Sequence, residues 1–344
     1  MKRSVISLMV IMSLSVFLFQ AVSGSAEAKE QEIIFAMAGP YQPEAGGESL
    51  GLAIYLEALQ GRIMNHPDLR GKFTLKIVDK GTLVPNQEEA LAATKAGGIQ
   101  MTYSNSRFLE QLAPEWKLLG IPGLVANFDH LERVLQTPVW KELHERTAKQ
   151  NNVKVVKWLF NIADLLFFTD KGPVVKMEDL KGQKIRFPGS EAYSKLLKAM
   201  GATGISLPYT EVVTALQTHM VDGVLTEISG AMEYYNLQRY TKYCINYPLA
   251  MDLVCWVVNN QWWESLDPKA RKAMNDVFER IDVQKFYVAY MDNKMKEWAS
   301  DPKLKMLELS KEEKERWAKT IKAVGLELAA GIDQKYIAAI DSTK

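Results

Sequence analysis

The segment DLKGQKIRFPGS, residues 179–190, places one arginine between a β-strand and the start of a helix. Ile185 and Phe187 flank Arg186, so in a strand their side chains share one face while the arginine points to the other. A proline and a glycine end the strand, and Ser190 is a suitable N-cap for the helical pattern that follows. Free backbone N–H groups then open beside the guanidinium, and this arrangement suits a carboxylate. An ordinary ion-paired arginine is the competing interpretation.

Strand and helix patterns alternate on both sides of this segment. Strand patterns cover residues 33–37, 73–78, 99–103, 153–160, 165–169, 184–187, 203–206 and 223–227. Helical patterns lie between them, with predicted capping boxes at Asn86–Glu89 and Asp129–Glu132 and a helix that starts at Pro138. This alternation predicts an α/β fold with a mainly parallel sheet, and the length of the chain favours two lobes rather than one core.

A long helical pattern begins at Asp267, a predicted N-cap, with Pro268 at the first helical position. No glycine or proline interrupts it before Pro302, so one helix of about 30 residues would span about 45 Å and bridge two lobes. Two ordinary helices with a break between them are the alternative. Ser310 and Glu313 then predict the start of a final amphipathic helix.

The N-terminal residues have the pattern of an export signal. Lys2 and Arg3 precede an apolar run over residues 5–19, and small residues lead to Ala28. We expect a signal peptide, residues 1–28, cleaved after Ala28, rather than an uncleaved anchor, because the apolar run is shorter than the ~20 residues of a spanning helix. The mature chain then has a formal net charge of zero, and such a chain has no electrostatic attraction for nucleic acid.

The cysteines are consistent with export but do not define a disulfide. Cys244 and Cys255 are the two cysteines of the chain, and each lies in a strand-like segment. An oxidising compartment would allow them to form a disulfide, provided that their Cα atoms lie within about 7 Å. Two separate buried thiols are the alternative.

The chain lacks the patterns of metal and catalytic centres. The four histidines are scattered without the spacing of metal ligands. Nucleophile-elbow, phosphate-loop and dinucleotide-binding motifs are absent. We therefore expect no metal, no cofactor and no enzymatic activity.

Candidate ligand contacts lie in loops at the carboxyl ends of the strands, where open α/β sheets bind their ligands. The set combines aromatic side chains with a few polar groups, which is the composition of a small-molecule pocket. It comprises Arg186, Tyr41, Tyr103, Ser104, Asn105, Phe160, Asn161, Tyr209, Thr226 and Trp256. Glu211, which opens a helix, either interacts with the positive helix end or buttresses Arg186.

Four blocks along the chain resemble one family. They are KGTLVPNQEEALAATKAGG (80–98), LLGIPGLVANFDH (118–130), the block from GPVVKMEDLKGQKIR (172–186) to residue 223, and VVNNQWWESLDPKARKAM (257–274). In this order, behind an export signal, they are similar to the solute-binding subunits of tripartite ATP-independent periplasmic (TRAP) transporters of the dicarboxylate-binding type. The resemblance covers roughly residues 33–300.

This resemblance implies a two-lobed periplasmic solute-binding-protein fold with a ligand cleft between the lobes and a long helix that spans both. It also implies that Arg186 receives a substrate carboxylate and that the partners are the membrane permease subunits of a TRAP transporter. The chain departs from the family pattern at several positions. A second arginine is absent near Asp164 and Leu165, and His219 replaces a glycine at a helix end. A single arginine specifies a carboxylate and leaves mono-, di-, keto- and aromatic acids open.

We therefore expect residues 29–163 and 252–291 to form lobe I, and residues 164–251 and 292–344 to form lobe II. The predicted protein is a monomeric periplasmic receptor that binds a small organic acid and delivers it to the permease. The aromatic candidates favour an apolar acid. The alternative functions are an exported enzyme that acts on a small acid and a binding protein for a signalling receptor.

Overall fold

The protein is a mixed α/β structure with two sheets that share one long strand. The computed structural model describes residues 30–38, 47–227, 230–281 and 284–344. The predicted signal peptide and Tyr41 lie outside these residues. Within them, the α/β architecture expected from the alternating patterns is confirmed.

The strands in the described part of the chain are β1 (Gln31–Ala36), β2 (Phe73–Val78), β3 (Met101–Asn105), β4 (Val153–Thr169), β5 (Lys184–Phe187), β6 (Thr203–Ser206), β7 (Gly223–Glu227), β8 (Tyr243–Ile245), β9 (Met251–Asn259) and β10 (Lys305–Leu307). Strands β2, β5, β6 and β7 have the predicted bounds, whereas β1 and β3 are displaced by about two residues from the predicted ranges. The largest departure is β4, which joins two predicted strands into one of 17 residues. Neither a glycine nor a proline separates those two strands, so nothing in the local sequence ends the first.

Strand β4 changes partners part-way along its length. Val153 to Asp164 pair with β9, with register shifts on the way, whereas Leu165 to Thr169 pair with β7. The strand order is β2-β1-β3-β9-β4-β7-β5-β6, and β8 lies between β4 and β10. Gly223 permits the close approach of β7, because a Cβ atom there would lie 2.5 Å from the carbonyl oxygen of Phe168.

The strand directions place several carboxyl ends opposite one another. Since β9 runs antiparallel to both β3 and β4, β3 runs in the direction of β4 and ends towards the second sheet. Since β7 runs antiparallel to β4 and parallel to β5, both strands end towards the first sheet. We call Asn105, Phe187 and Glu227, the last residues of β3, β5 and β7, the facing strand ends.

The helices follow the predicted alternation. They are α1 (Gly47–Asn65), α2 (Gln87–Ala96), α3 (Lys117–Gly120), α4 (Phe128–Gln136), α5 (Pro138–Asn151), α6 (Glu191–Ala199), α7 (Val212–Gln217), α8 (Asn260–Ser265), α9 (Pro268–Arg280), α10 (Gln284–Ala299), α11 (Lys311–Leu328) and α12 (Gln334–Asp341). None of those in the described part of the chain has the length and hydrophobicity that crossing a bilayer requires.

Local capping decides where these helices begin. The side chains of Asn86, Ser190 and Ser310 cap α2, α6 and α11, as the sequence predicts. The predicted cap of α4 at Asp129 is wrong: Asn127 accepts the backbone N–H of His130 at 2.8 Å. Asn127 offers an equivalent side-chain oxygen two positions earlier. Helix α4 therefore begins at Phe128, one residue before Asp129.

The long helical pattern after Asp267 forms two helices rather than one. Helix α9 ends at Arg280, because Ile281 has an extended backbone with φ −78° and ψ 97°, and α10 starts at Gln284. Of the two alternatives left by the sequence, the broken helix is therefore the one observed. No glycine or proline marks the break.

The C-terminal helices contact both parts of the molecule. Helix α11 packs on α6, where Lys195 pairs with Glu327 at 2.9 Å. Helix α12 packs on α5, and the rings of Trp140 and Tyr336 meet edge to face at 5.5 Å. The partner change in β4 lies next to the predicted boundary between residues 163 and 164, while the full assignment of residues to lobes I and II stays a prediction.

The two cysteines are separate buried thiols. Cys244 lies in β8 opposite Phe168, whereas Cys255 lies in β9 opposite Ser104. Burial raises the pKa of both thiols because it disfavours the thiolate. The disulfide alternative is thus not the one adopted.

His219 should carry a measurable conformational cost. Its φ of 54° lies in the left-handed region, where a side chain is disfavoured relative to glycine. We expect His219→Gly to raise the free energy of unfolding by about 0.5 to 1 kcal/mol in denaturant titrations. Thr218→Gly is the matched control: Thr218 has a φ of −89°, so this change should lower stability. Destabilisation by both changes would contradict the assignment of strain to His219.

Candidate functional site

Arg186 is a buried cation near the facing strand ends. It lies in β5, is 1% exposed, and pairs with Val224 of β7 and Ile205 of β6. Val224 belongs to one apolar cluster, whereas Ile185 and Phe187 belong to the other. The predicted alternation of β5 is therefore confirmed, although both faces of the strand are buried.

One carbonyl group orients the guanidinium of Arg186. Its Nε and Nη2 atoms donate to the carbonyl oxygen of Leu207, at 3.1 and 2.9 Å. Leu207 directly follows β6, so the neighbouring strand end fixes the side chain. Because the planar guanidinium has five N–H donors in a rigid fork, fixing one edge also fixes where the other edge points.

Thr226 lies on the same face of the sheet as Arg186. It is two residues beyond Val224 along β7, and side chains two apart in a strand share a face. Its Oγ1 donates to Oε2 of Glu227 at 2.8 Å. Thr226 and Glu227 are 1% and 7% exposed, so β7 ends with a buried polar pair.

The first sheet contributes β3 and β9. Tyr103 pairs with Trp256 and Asn105 with Val254, so Tyr103, Asn105 and Trp256 share one face. Ser104 lies on the other face with Cys255. The Ser104 Oγ donates to the carbonyl oxygen of Asn105 at 3.2 Å.

Trp256 has the surroundings of a core residue. Its ring is fully buried and meets the rings of Phe35, Tyr55 and Phe278 at centroid distances of 6.5, 6.0 and 5.8 Å. Such edge-to-face contacts stabilise the packing of α1 and α9 on the first sheet. A ligand contact at Trp256 stays a prediction, without support from these contacts.

Asn105 is a buried amide at the end of β3. It is 1% exposed, and its Oδ1 has no hydrogen-bond partner among the described residues. Its backbone N–H donates to Oε1 of Gln87 at 2.9 Å, which holds the strand end against α2. An unpaired buried acceptor costs about 1 to 3 kcal/mol, so this amide is prepared to receive a hydrogen bond.

The remaining candidates are described by their backbone alone or lie outside the described residues. Asn161 pairs with Leu253 within β4 and β9, and Phe160 precedes it in β4. Tyr209 begins a short 3₁₀ turn after β6. The supporting roles of Gln87 and of the Leu207 carbonyl have no signal in the local sequence, because these contacts form only when separate segments meet.

A comparison with known protein families matches most of the chain. The family model described as "Bacterial extracellular solute-binding protein, family 7" (DctP) matches residues 58–331. The chain belongs to this family. Its members are solute-binding receptors rather than enzymes, and they act outside the cytoplasm. The resemblance read from the four sequence blocks is confirmed.

Relatives and solved structures agree with this membership. The C4-dicarboxylate-binding protein DctB of Bacillus subtilis is 24% identical over 258 residues, which are 74% of this chain and 72% of DctB. Several other relatives match over about half of their length. A TRAP periplasmic solute-binding protein from Shewanella oneidensis with bound succinate has a TM-score of 0.78 and 20% identity, covering 91% of this chain and 99% of that one.

A second solved structure shows the same fold with a different ligand. A TRAP periplasmic solute-binding protein from Anaerococcus prevotii with bound D-glucuronate has a TM-score of 0.76 and 21% identity, covering 91% of this chain and 98% of that one. The two-lobed fold expected for this family 7 protein is confirmed by these neighbours.

The missing partner of Asn105 predicts an unusual mutational response. We expect Asn105→Leu to leave the free energy of unfolding unchanged or to raise it by up to about 1 kcal/mol, because it removes an unpaired buried acceptor. Asn259→Leu is the control. Asn259 is equally buried, but it donates to Thr94 O at 2.8 Å and accepts from Trp262 N at 2.7 Å, so its loss should cost about 2 to 3 kcal/mol. Equal losses in denaturant titrations would mean that Asn105 is already satisfied.

Proposed function

We propose that this protein is the extracytoplasmic receptor of a TRAP transporter, which binds a small organic acid between its lobes and delivers it to the membrane permease. The buried guanidinium of Arg186 carries this proposal. A carboxylate matches the two-donor edge of a guanidinium, and desolvation strengthens the pair. The names of the relatives support it, because dicarboxylate, succinate and glucuronate all carry carboxylates.

Asn105 is the proposed contact from the opposite lobe. The facing strand ends bring β3 towards β5 and β7, so a ligand held by Arg186 extends towards the end of β3. The Asn105 amide accepts a hydrogen bond from a ligand hydroxyl, or in the flipped orientation donates to a second carboxylate. Thr226 completes the proposed polar set. Tyr103 and Trp256 lie in the apolar cluster of the first sheet, so the preference for an apolar acid rests on Phe160 and Tyr209 alone.

A ligand that contacts both lobes favours the closed form. Binding shifts a population between open and closed arrangements by the difference in ligand affinity between them. Strand β4 passes through both sheets, and bending at its partner change would let the lobes move as two bodies. Binding between lobes, rather than chemistry, is therefore the proposed activity.

The cellular location of the protein and its oligomeric state are also proposals. We infer export by the N-terminal signal, residence in the periplasm and a monomeric state. Delivery to the membrane permease subunits separates transport from a sensing role. An exported enzyme would convert its ligand, so recovering bound acid chemically unchanged after long incubation would count against that alternative.

Arg186 should control binding. Thermal unfolding against mono-, di-, keto-, hydroxy- and aromatic acids, with sugars and amino acids as controls, should show a shift with one class of acid. At 1 mM ligand and micromolar affinity the folded state gains about 4 kcal/mol. In calorimetry we expect Arg186→Ala to weaken binding of that acid at least tenfold, because removing one partner of a buried charge pair costs about 2 to 5 kcal/mol.

Two further variants show whether the effect of Arg186→Ala is specific to its guanidinium. Arg186→Lys keeps the charge but loses the fork, so its affinity should lie between those of the natural protein and Arg186→Ala. Arg280→Ala removes an exposed arginine at the end of α9 and should leave binding unchanged. Unchanged affinity in a folded Arg186→Ala protein would end the carboxylate assignment, and a shift with a sugar alone would do the same.

The export proposal predicts the start of the mature chain. Mass spectrometry of protein recovered from the periplasmic fraction should give a chain that begins at Lys29, because cleavage is expected after Ala28. An intact N-terminus in the membrane fraction would instead support an uncleaved anchor.

A further inference from the structure

A cavity lies at the end of the second sheet that is remote from the facing strand ends. Its volume is about 590 Å³, a size that suits a small molecule. It forms where β4 ends and where β7, β8 and β10 begin. We call it the remote pocket, and its polar lining includes Asp170, Lys171, Asp222, Gln238, Arg239, Lys242 and Lys303. The five residues of β7, about 16 Å, separate it from Glu227.

The remote pocket has an excess of positive charge. Four cationic side chains and two carboxylates line it, while the whole chain has a formal net charge of only +1. Both carboxylates are already engaged. Lys242 pairs with Asp170 at 2.8 Å, and Asp222 accepts the backbone N–H of Lys184 at 2.8 Å and lies 3.7 Å from Lys171. The uncompensated charge therefore comes from the other two cations.

Arg239 and Lys303 are those cations. Neither forms an ion pair with any residue that the structure describes, and both are exposed to solvent in the pocket. They come from separate segments, one before β8 and one before β10, so the fold rather than a local charge run brings them together. An arginine fork and a lysine point charge are the combination with which proteins bind phosphate oxygens.

Neighbouring groups reduce the negative potential that would oppose an anion. The carbonyl oxygen of His219, at the end of α7, accepts a hydrogen bond from Nζ of Lys184 at 3.0 Å. This bond occupies a helix-end carbonyl and brings another positive charge to the edge of the pocket. The electrostatic potential that an anion experiences in the remote pocket is therefore positive.

Gln238 adds a requirement for a hydrogen-bonding group on the ligand. Its Oε1 is buried and has no hydrogen-bond partner in the described part of the chain. Gln238 directly precedes Arg239 and lines the same pocket. A ligand hydroxyl would satisfy this oxygen, because hydroxyl groups donate as well as accept.

We propose that the remote pocket binds a phosphate ester that carries a free hydroxyl group, with the phosphate on Arg239 and Lys303 and the hydroxyl on Gln238. This chemistry has two sources: a soluble phosphate ester or the headgroup of an anionic phospholipid. The site is separate from Arg186 and is independent of the acid that the interlobe cleft takes.

Calorimetry with glycerol 1-phosphate tests the site. We expect the double variant Arg239→Gln with Lys303→Gln to lose one binding event or to weaken it at least tenfold at low salt. Any binding at Arg186 is common to both proteins and cancels in the comparison. Gln238→Leu should weaken binding of glycerol 1-phosphate while leaving that of inorganic phosphate unchanged.

A charge-matched variant excludes general electrostatic attraction. Lys319→Gln with Lys322→Gln removes the same charge from the exposed face of α11, so it should leave binding within twofold of the natural protein. Both pairs are surface cations, so folding should survive in each variant, and circular dichroism checks this.

Vesicles distinguish the two sources of phosphate. Co-sedimentation with phosphatidylglycerol vesicles but not phosphatidylcholine vesicles, lost in the Arg239 and Lys303 double variant, would assign the site to a lipid headgroup. Binding of glycerol 1-phosphate alone would assign it to a soluble ester. Absence of both, or an equal loss in the α11 control variant, would overturn the proposal.

Discussion

The backbone hydrogen bonds of β4 reach into both sheets of this protein. One strand supplies hydrogen bonds to β9 along its first part and to β7 along its last, so the backbone of β4 connects the two sheets directly. The directions of the other strands then follow from pairing alone. Strand pairing brings the buried Arg186 of one sheet and the buried Asn105 of the other to the facing strand ends. The topology of the strands therefore determines where the candidate site lies.

The two polar groups at this space are stabilised to different degrees. The Arg186 guanidinium is oriented by a carbonyl group, whereas the Asn105 oxygen has no partner among the described residues. A stable core would satisfy or avoid such a group, and binding sites are where proteins accept this cost. Under the proposed function, the cost of the unpaired Asn105 oxygen at β3 is recovered when the ligand binds, while β5 supplies the charge recognition.

Local sequence predicted those features that local chemistry controls. Strands β2, β5, β6 and β7 have the predicted bounds because turn residues and helix caps end them, and Ser190 caps α6 as expected. The break at Ile281 could not be predicted, since no glycine or proline marks it. The fusion of two predicted strands into β4 has a local signal that the prediction did not use, because no glycine or proline lies between them. Likewise, the alternation around Arg186 predicted its face, but only tertiary contacts reveal that Leu207 holds it and that Trp256 is enclosed by three rings.

The position of α12 has a consequence for biogenesis. This last helix packs on α5, and the carbonyl oxygen of Ile340 lies 2.9 Å from Nε2 of the buried His130. Because ribosomes make the N-terminus first, this contact cannot form until almost the whole chain has been synthesised. The buried ring of His130 therefore acquires this partner at the last stage of folding.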